Sequence, residues 1–299
     1  MTTDVDRNAQ TITLRDGRTL GYAEYGDPHG KPVLEFHGWP SCRLEGWVYD
    51  EAGKKLGARV IAIDRPGFGL STYKNRYRII DWPKDVAEFA DALGLGKFAA
   101  LGISSGAPYV LACARFIPER LTVCALVSGL APLKVEGEKI DPKAHIIKTE
   151  LQIAGLASTA PLAARLIFWW FARAAQKDPD KAISSTTKGM PPSDIALLED
   201  DAAKQQYHET FAETMRQGTK GPIASVALEV KPWGFRLEEV PMHISIWQGE
   251  ADNLAFPAGA RYMSSKLPDC ELHMIPDAGH ITVVATHAED VLREVLAAS

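Results

Sequence analysis

With 299 residues, 46% hydrophobic and 24% charged, the chain has the composition of an ordered protein that can bury one large core, or a core with a sizeable insertion. A formal charge of -5 without any basic run argues against a nucleic-acid partner, and the polar, mixed-charge start Met1–Gln10 carries no apolar secretion signal, which points to the cytoplasm. Cys42, Cys113, Cys124 and Cys270 are too dispersed for a zinc or redox motif, so free thiols are expected, with no metal and no cofactor.

Thr11 to Leu14 and Leu20 to Tyr25 alternate on either side of Asp16-Gly17. That pattern predicts an antiparallel hairpin, because glycine tolerates the positive φ of a tight turn. Pro32 to Phe36 reads as a short buried strand running into His37-Gly38-Trp39-Pro40. A helix over about Arg43 to Leu56, a strand over Arg59 to Ile63 and the turn Asp64-Arg65-Pro66-Gly67-Phe68-Gly69 follow. The turn lacks the G-x-x-x-x-G-K pattern of a phosphate loop and is expected to brace the site.

A helix from Trp82 to Leu93 turns Val86, Phe89 and Ala90 to one side and leads into the strand-like run ending at Leu101. Leu121 to Val127, Met242 to Trp247 and Cys270 to Ile275 are further strands, and Ala288 to Ala297 is a final amphipathic helix. From Leu130 to Pro232 the pattern is helical, broken by Pro161, Pro179, Pro191-Pro192 and Gly218-Thr219-Lys220-Gly221. Apolar strands separated by helix-length segments predict an α/β architecture: a mostly parallel central sheet covered by helices. The helical block interrupts it as an inserted cap. The expected division is a core of residues 1–130 and 236–299 with a cap, or lid, of residues 131–235.

Gly102-Ile103-Ser104-Ser105-Gly106 reads G-x-S-x-G between an apolar strand and a helix-like stretch, Ala107 to Phe116. A nucleophile at a strand tip must turn sharply into the next helix, which leaves room only for small residues at 102 and 106. Ser104 is therefore the candidate nucleophile, and Ser105 is out of register with the two glycines. A serine hydroxyl needs a base to take its proton and an acid to orient that base.

Together with His37-Gly38-Trp39-Pro40, the 64–71 turn, Gly249-Glu250-Ala251-Asp252 and Gly279-His280, this motif resembles the α/β-hydrolase family from Leu14 to the C-terminus, the cap apart. The resemblance implies a triad in chain order: Ser104, Asp252, His280. Glu250 competes with Asp252, but the G-x-x-D pattern selects the fourth position. No carboxylate stands at Ser128-Gly129, where some relatives place the acid. It also implies an oxyanion hole from the Ser105 and Trp39 amides, with His37 bonded within its own loop and Pro40 fixing that loop.

In the cap, Leu166-Ile167-Phe168-Trp169-Trp170-Phe171 is flanked by Arg165 and Arg173 and is too short for a membrane span. It is expected to form a helix packed over the core with one or two aromatics facing the pocket, a lipid-surface or dimer contact being the alternative. His37, Trp39, Phe168 and Trp169 are the candidate substrate-binding residues. The implied function is hydrolysis of a small carboxylic ester by water through an acyl-enzyme, by a monomer or homodimer. Thioester, lactone or carbon–carbon cleavage would use the same triad, and a small-molecule receptor with slow turnover is the reading from another class.

Overall fold

The computed structural model describes residues 6–177 and 189–297; Pro179, one of the predicted helix breaks, lies outside them. β1 (Gln10–Thr13) and β2 (Thr19–Gly26) form the predicted hairpin, with Ile12 opposite Leu20 and Gly17 at φ 83° in the turn. β3 (Lys31–Phe36), β4 (Ala58–Ile63), β5 (Phe98–Ile103), β6 (Leu121–Val127), β7 (Ile244–Gly249) and β8 (Cys270–Ile275) complete an eight-stranded sheet of order β1-β2-β4-β3-β5-β6-β7-β8. Only β1 and β2 run antiparallel to their neighbours.

Pleating sends alternate side chains to opposite faces. Leu34 and Phe36 of β3 join Ile61, Ile63, Phe89 and Val110 in one buried layer, against the helices Trp82–Ala92 and Ala107–Phe116. Val33 joins Val60, Ala62 and Leu101 in the other, against the C-terminal helix Ala288–Ala297. The sequence reading of one helix over 43–56 is divided in the structure: a 3-10 stretch, Arg43–Tyr49, precedes an α-helix, Asp50–Leu56. Gly46, a poor helix former, sits there because a Cβ would press on the Tyr25 ring at 2.7 Å.

Register decides where chemistry can occur. Phe36 pairs with Gly102, Ile103 with Val127, and Gly249 with Ile275. The segments after β3, β5, β6, β7 and β8 therefore all leave the sheet at its carboxyl edge, where open α/β sheets bind ligands. Between β6 and β7 run the helices Lys148–Thr159, Pro161–Lys177, Pro192–Leu197, Asp201–Thr214 and Lys220–Glu229. Pro161 and Pro192 each occupy a first helical position, where a missing N–H costs nothing. These helices share a small core of Ala154, Ala157, Ala164, Phe168, Ala172, Ile223 and Val226, and Trp39 packs against it from below.

Candidate active site

β5 ends in a turn that holds Ser104 at φ 50°, a left-handed conformation costing a non-glycine residue on the order of 1–3 kcal/mol. The surroundings enforce it. A Cβ at Gly102 would meet Val110 at 2.7 Å and the Gly106 carbonyl carbon at 2.9 Å, and one at Gly106 would run into the Phe36 carbonyl oxygen. The Leu130 amide donates to the Ser104 carbonyl at 2.9 Å, tying the turn to the end of β6.

Asp252 follows β7 and His280 follows β8. His280 Nδ1 lies 2.8 Å from Asp252 Oδ2, the geometry of a ring N–H donating to a carboxylate. The carboxylate has little freedom to turn away. Its Oδ1 accepts the Leu254 and Ala255 amides at 2.9 and 3.0 Å, and its Oδ2 also accepts Gln248 Nε2 at 2.9 Å. The Ser128 hydroxyl holds the His280 carbonyl at 2.9 Å. Burial alone would lower the His280 pKa, but the Asp252 charge and hydrogen bond, with Glu150 and Asp194 nearby, raise it to about 9.

Ser104, Ser105, Trp39, Leu130 and Ala255 line one cavity with Glu150 and Glu229 of the inserted helices. Its volume is about 10 Å³, close to the least space that holds one water. Trp39 is held from two sides: its Nε1 donates to the Pro222 carbonyl at 3.0 Å, and the Phe168 ring packs against it, tilted, with centroids 5.3 Å apart. The Trp39-Pro40 bond is cis.

Three of the four expected substrate-binding residues, His37, Phe168 and Trp169, do not line this cavity. His37 is buried beneath the loop. Its Nδ1 donates to the Gly38 carbonyl at 2.8 Å and its Nε2 accepts the Arg65 amide at 3.1 Å, so neither ring nitrogen is left for a substrate. Burial and the Arg65 charge hold its pKa well below the usual histidine value. Trp169 is 40% exposed on the outer side of its helix, with the Arg173 guanidinium 5.0 Å above its ring. The inward stripe of that helix is Ala164, Phe168 and Ala172, spaced by four residues, and Phe168 acts on the cavity only through Trp39.

The turn at 64–69 braces the site as expected. The Arg65 side chain, 1% exposed, donates to the Gly38 carbonyl at 2.8 Å and to Ser225 Oγ at 3.1 Å, with longer contacts to the Ser105 carbonyl and hydroxyl at 3.4 Å. It lies over the Phe68 and Tyr109 rings. One residue thus links the loop at Gly38, the turn at Ser104-Ser105 and an inserted helix.

Sequence reasoning missed several acids around this point. Glu45 Oε2 accepts the Gly38 amide at 2.6 Å, and Glu35, with both oxygens unpartnered, is pushed well up by burial and by Glu45. Glu35 carried a signal, being the one charged residue in the apolar run 32–36. Glu150 and Glu229 carried none, since isolated acids on inserted helices read as solvent-facing. Asp194 Oδ1 accepts both the amide and the hydroxyl of Thr282, at 2.8 and 2.7 Å, and so fastens an inserted helix to the first turn after His280.

Residues 34–295 match the model of the alpha/beta hydrolase family, and the chain belongs to that family. A non-heme chloroperoxidase from Streptomyces lividans is 34% identical over 134 residues, covering 43% of this chain and 47% of that protein; the chain matches under half the length of the first curated relatives. Among solved structures, an esterase from Exiguobacterium antarcticum superposes with a TM-score of 0.70 at 17% identity, covering 96% of this chain and 99% of that one. The epoxide hydrolase CorEH superposes at 0.73 with 14% identity, covering 97% and 98%. Identities this low establish the shared fold alone. Among the described residues no helix is long and apolar enough to cross a membrane.

Proposed function

We propose that the chain is a serine hydrolase that cleaves carboxylic esters through an acyl-enzyme on Ser104, with residues 131–235 acting as a lid. His280, neutral at Nε2, takes the Ser104 proton as Oγ attacks the ester carbonyl. The Ser105 and Trp39 amides receive the negative charge on the carbonyl oxygen, each such donor commonly contributing about 3 kcal/mol. The proton on His280 passes to the departing alcohol. Water then loses a proton to His280 and attacks the acyl carbonyl, and His280 returns that proton to Ser104 Oγ as the acid departs.

One observation carries this reading: a histidine 2.8 Å from a carboxylate whose other oxygen is fixed by two amides, on the same sheet edge as a serine held at φ 50°. The likeness to an epoxide hydrolase does not favour epoxide opening here. Attack by Ser104 on an epoxide carbon would leave an ether that water does not release, whereas its attack on an acyl group leaves an ester that water does. Thioesters and lactones meet the same requirement.

A panel of p-nitrophenyl esters of graded acyl length tests the proposal. The small cavity favours the shortest acyl groups, so kcat/KM should be highest for acetate and fall with each added carbon. Turnover no faster than buffer for every ester, with Ser104 still labelled by a fluorophosphonate, would instead support a small-molecule receptor.

A further inference from the structure

Glu229 is 6% exposed and lines the Ser104 cavity, and its Oε1 has no hydrogen-bond partner. It shares the cavity with Ser105, the residue whose amide would face the oxyanion. It is also the last residue of the helix Lys220–Glu229, where the negative end of the helix dipole opposes a second negative charge. Burial, helix position and an unpartnered oxygen all work against stability here. A residue that breaks local rules without compensation in the fold points to a ligand.

Glu150, from the helix Lys148–Thr159 packed against the Glu229 helix, lines the same cavity. Facing the two acids are Arg65, His280 and Asp252 from the core, with Glu45 below the loop and Asp194 beside His280. His280 and Asp252 balance each other when the imidazole is charged, and Arg65 is the one permanent cation among these groups. Of these groups five carry a carboxyl, Glu150, Glu229, Asp252, Glu45 and Asp194, and two can be cationic, Arg65 and His280, so the acids outnumber the cations.

We propose that Glu150 and Glu229 form an acidic subsite that receives an ammonium group lying within a few bonds of the scissile carbonyl, so that the preferred substrates are amino-acyl esters. The inference rests on the acyl-enzyme reading and names its substrate class. A space near the size of a water molecule, lined by Glu150, Glu229, Ser104 and Ser105, suits an –NH₃⁺ head with donors in several directions. Burial raises Glu150 to about 7 and, with Glu150 beside it, Glu229 to about 8, against the lowering effects of His280 on the first and Arg65 on the second. Near neutral pH the empty subsite holds protons that an ammonium displaces, so binding releases protons.

The test compares L-alanine p-nitrophenyl ester with p-nitrophenyl propionate, which differ by the ammonium group. The ratio of their kcat/KM values is measured in the wild-type chain, Glu150→Gln and Glu229→Gln, so that intrinsic reactivity and general damage to the site divide out. The alanyl preference should fall at least about tenfold in each variant, an effect typical of a lost charged hydrogen bond. A ratio within about twofold of wild type in both variants overturns the subsite.

If the wild-type chain hydrolyses neither ester, the acyl-enzyme reading fails by itself. The subsite is then judged by calorimetry of the unaltered chain with L-alaninamide and propionamide, in two buffers of different ionisation enthalpy. Tighter binding of alaninamide with net proton release supports it. Equal binding without proton release overturns it.

Discussion

His280 Nδ1 lies 2.8 Å from Asp252 Oδ2, and the same oxygen accepts Gln248 Nε2 at 2.9 Å. Every other direction around the carboxylate is also filled by donors, from the Leu254 and Ala255 amides. An aspartate satisfies four donors at once, but an asparagine cannot: turning its oxygen to the two amides aims its NH₂ at His280 and at the Gln248 amide. Asp252→Asn should therefore force the other imidazole tautomer and lower kcat by about 10⁴-fold, as expected when a triad acid is made neutral. Glu250, exposed and only 3.8 Å from Arg261, should tolerate glutamine with less than about a twofold change. Steady-state kinetics of the two variants check this, and equal losses would remove Asp252 from its role.

The pH dependence follows from the same pair. Protonated His280 cannot take the Ser104 proton, so activity rises as pH passes the His280 pKa. The neighbouring acids outweigh burial and raise it to about 9, so kcat/KM for a neutral ester should still be climbing at pH 8 with one proton's slope. Stability runs the other way. A histidine whose folded pKa lies above its unfolded value stabilises the fold fully below about 6.5, and that contribution disappears as pH rises toward 9. Activity and melting temperature measured over pH 6 to 10 should diverge, and an acid limb below pH 6 would contradict the arrangement.

Ser104→Ala should reduce ester turnover on the order of 10⁶-fold, the loss seen when a triad nucleophile is removed. Ser105→Ala should cost far less. Its amide stays in place, and the lost hydroxyl contact is the long one to Arg65 at 3.4 Å. Circular dichroism should show both variants folded.

Asp194 fastens the inserted helix Pro192–Leu197 to the His280 loop through Thr282, and a Cβ at Gly279 would strike its carboxyl group. Asp194→Ala leaves the Thr282 amide without its side-chain acceptor, which should cost about 1 kcal/mol, as loss of a helix cap does. It should also lower kcat/KM by about tenfold as His280 loses its brace. Asp194→Asn keeps an acceptor but removes the charge, so it should retain most of the stability while shifting the acid limb to lower pH. Thermal melts and pH profiles of the two variants separate these effects.

Strands and helices were legible where periodicity and punctuation agreed. The Asp16-Gly17 hairpin, the glycines around Ser104 and the amphipathic helix 288–297 all fall where residue pattern alone puts them. The turn at Ser104 was legible because a tight strand-to-helix turn imposes local steric demands that leave a mark in five residues. Side-chain direction in the inserted helices was not. Trp169 and Phe168 are adjacent and both aromatic, and only the small residues Ala164 and Ala172 indicated that the helix packs on the Phe168 side. Glu150 and Glu229 stand 79 positions apart and acquire a meaning only when their helices pack together over Ser104.

The central claim, that turnover passes through Ser104, is tested by titrating the chain with a fluorophosphonate while following hydrolysis of p-nitrophenyl acetate. Activity should fall linearly to zero at one equivalent, with the added mass on the peptide that contains Ser104. Undiminished turnover by chain fully labelled at Ser104, or loss of turnover with the label on another residue, would contradict it.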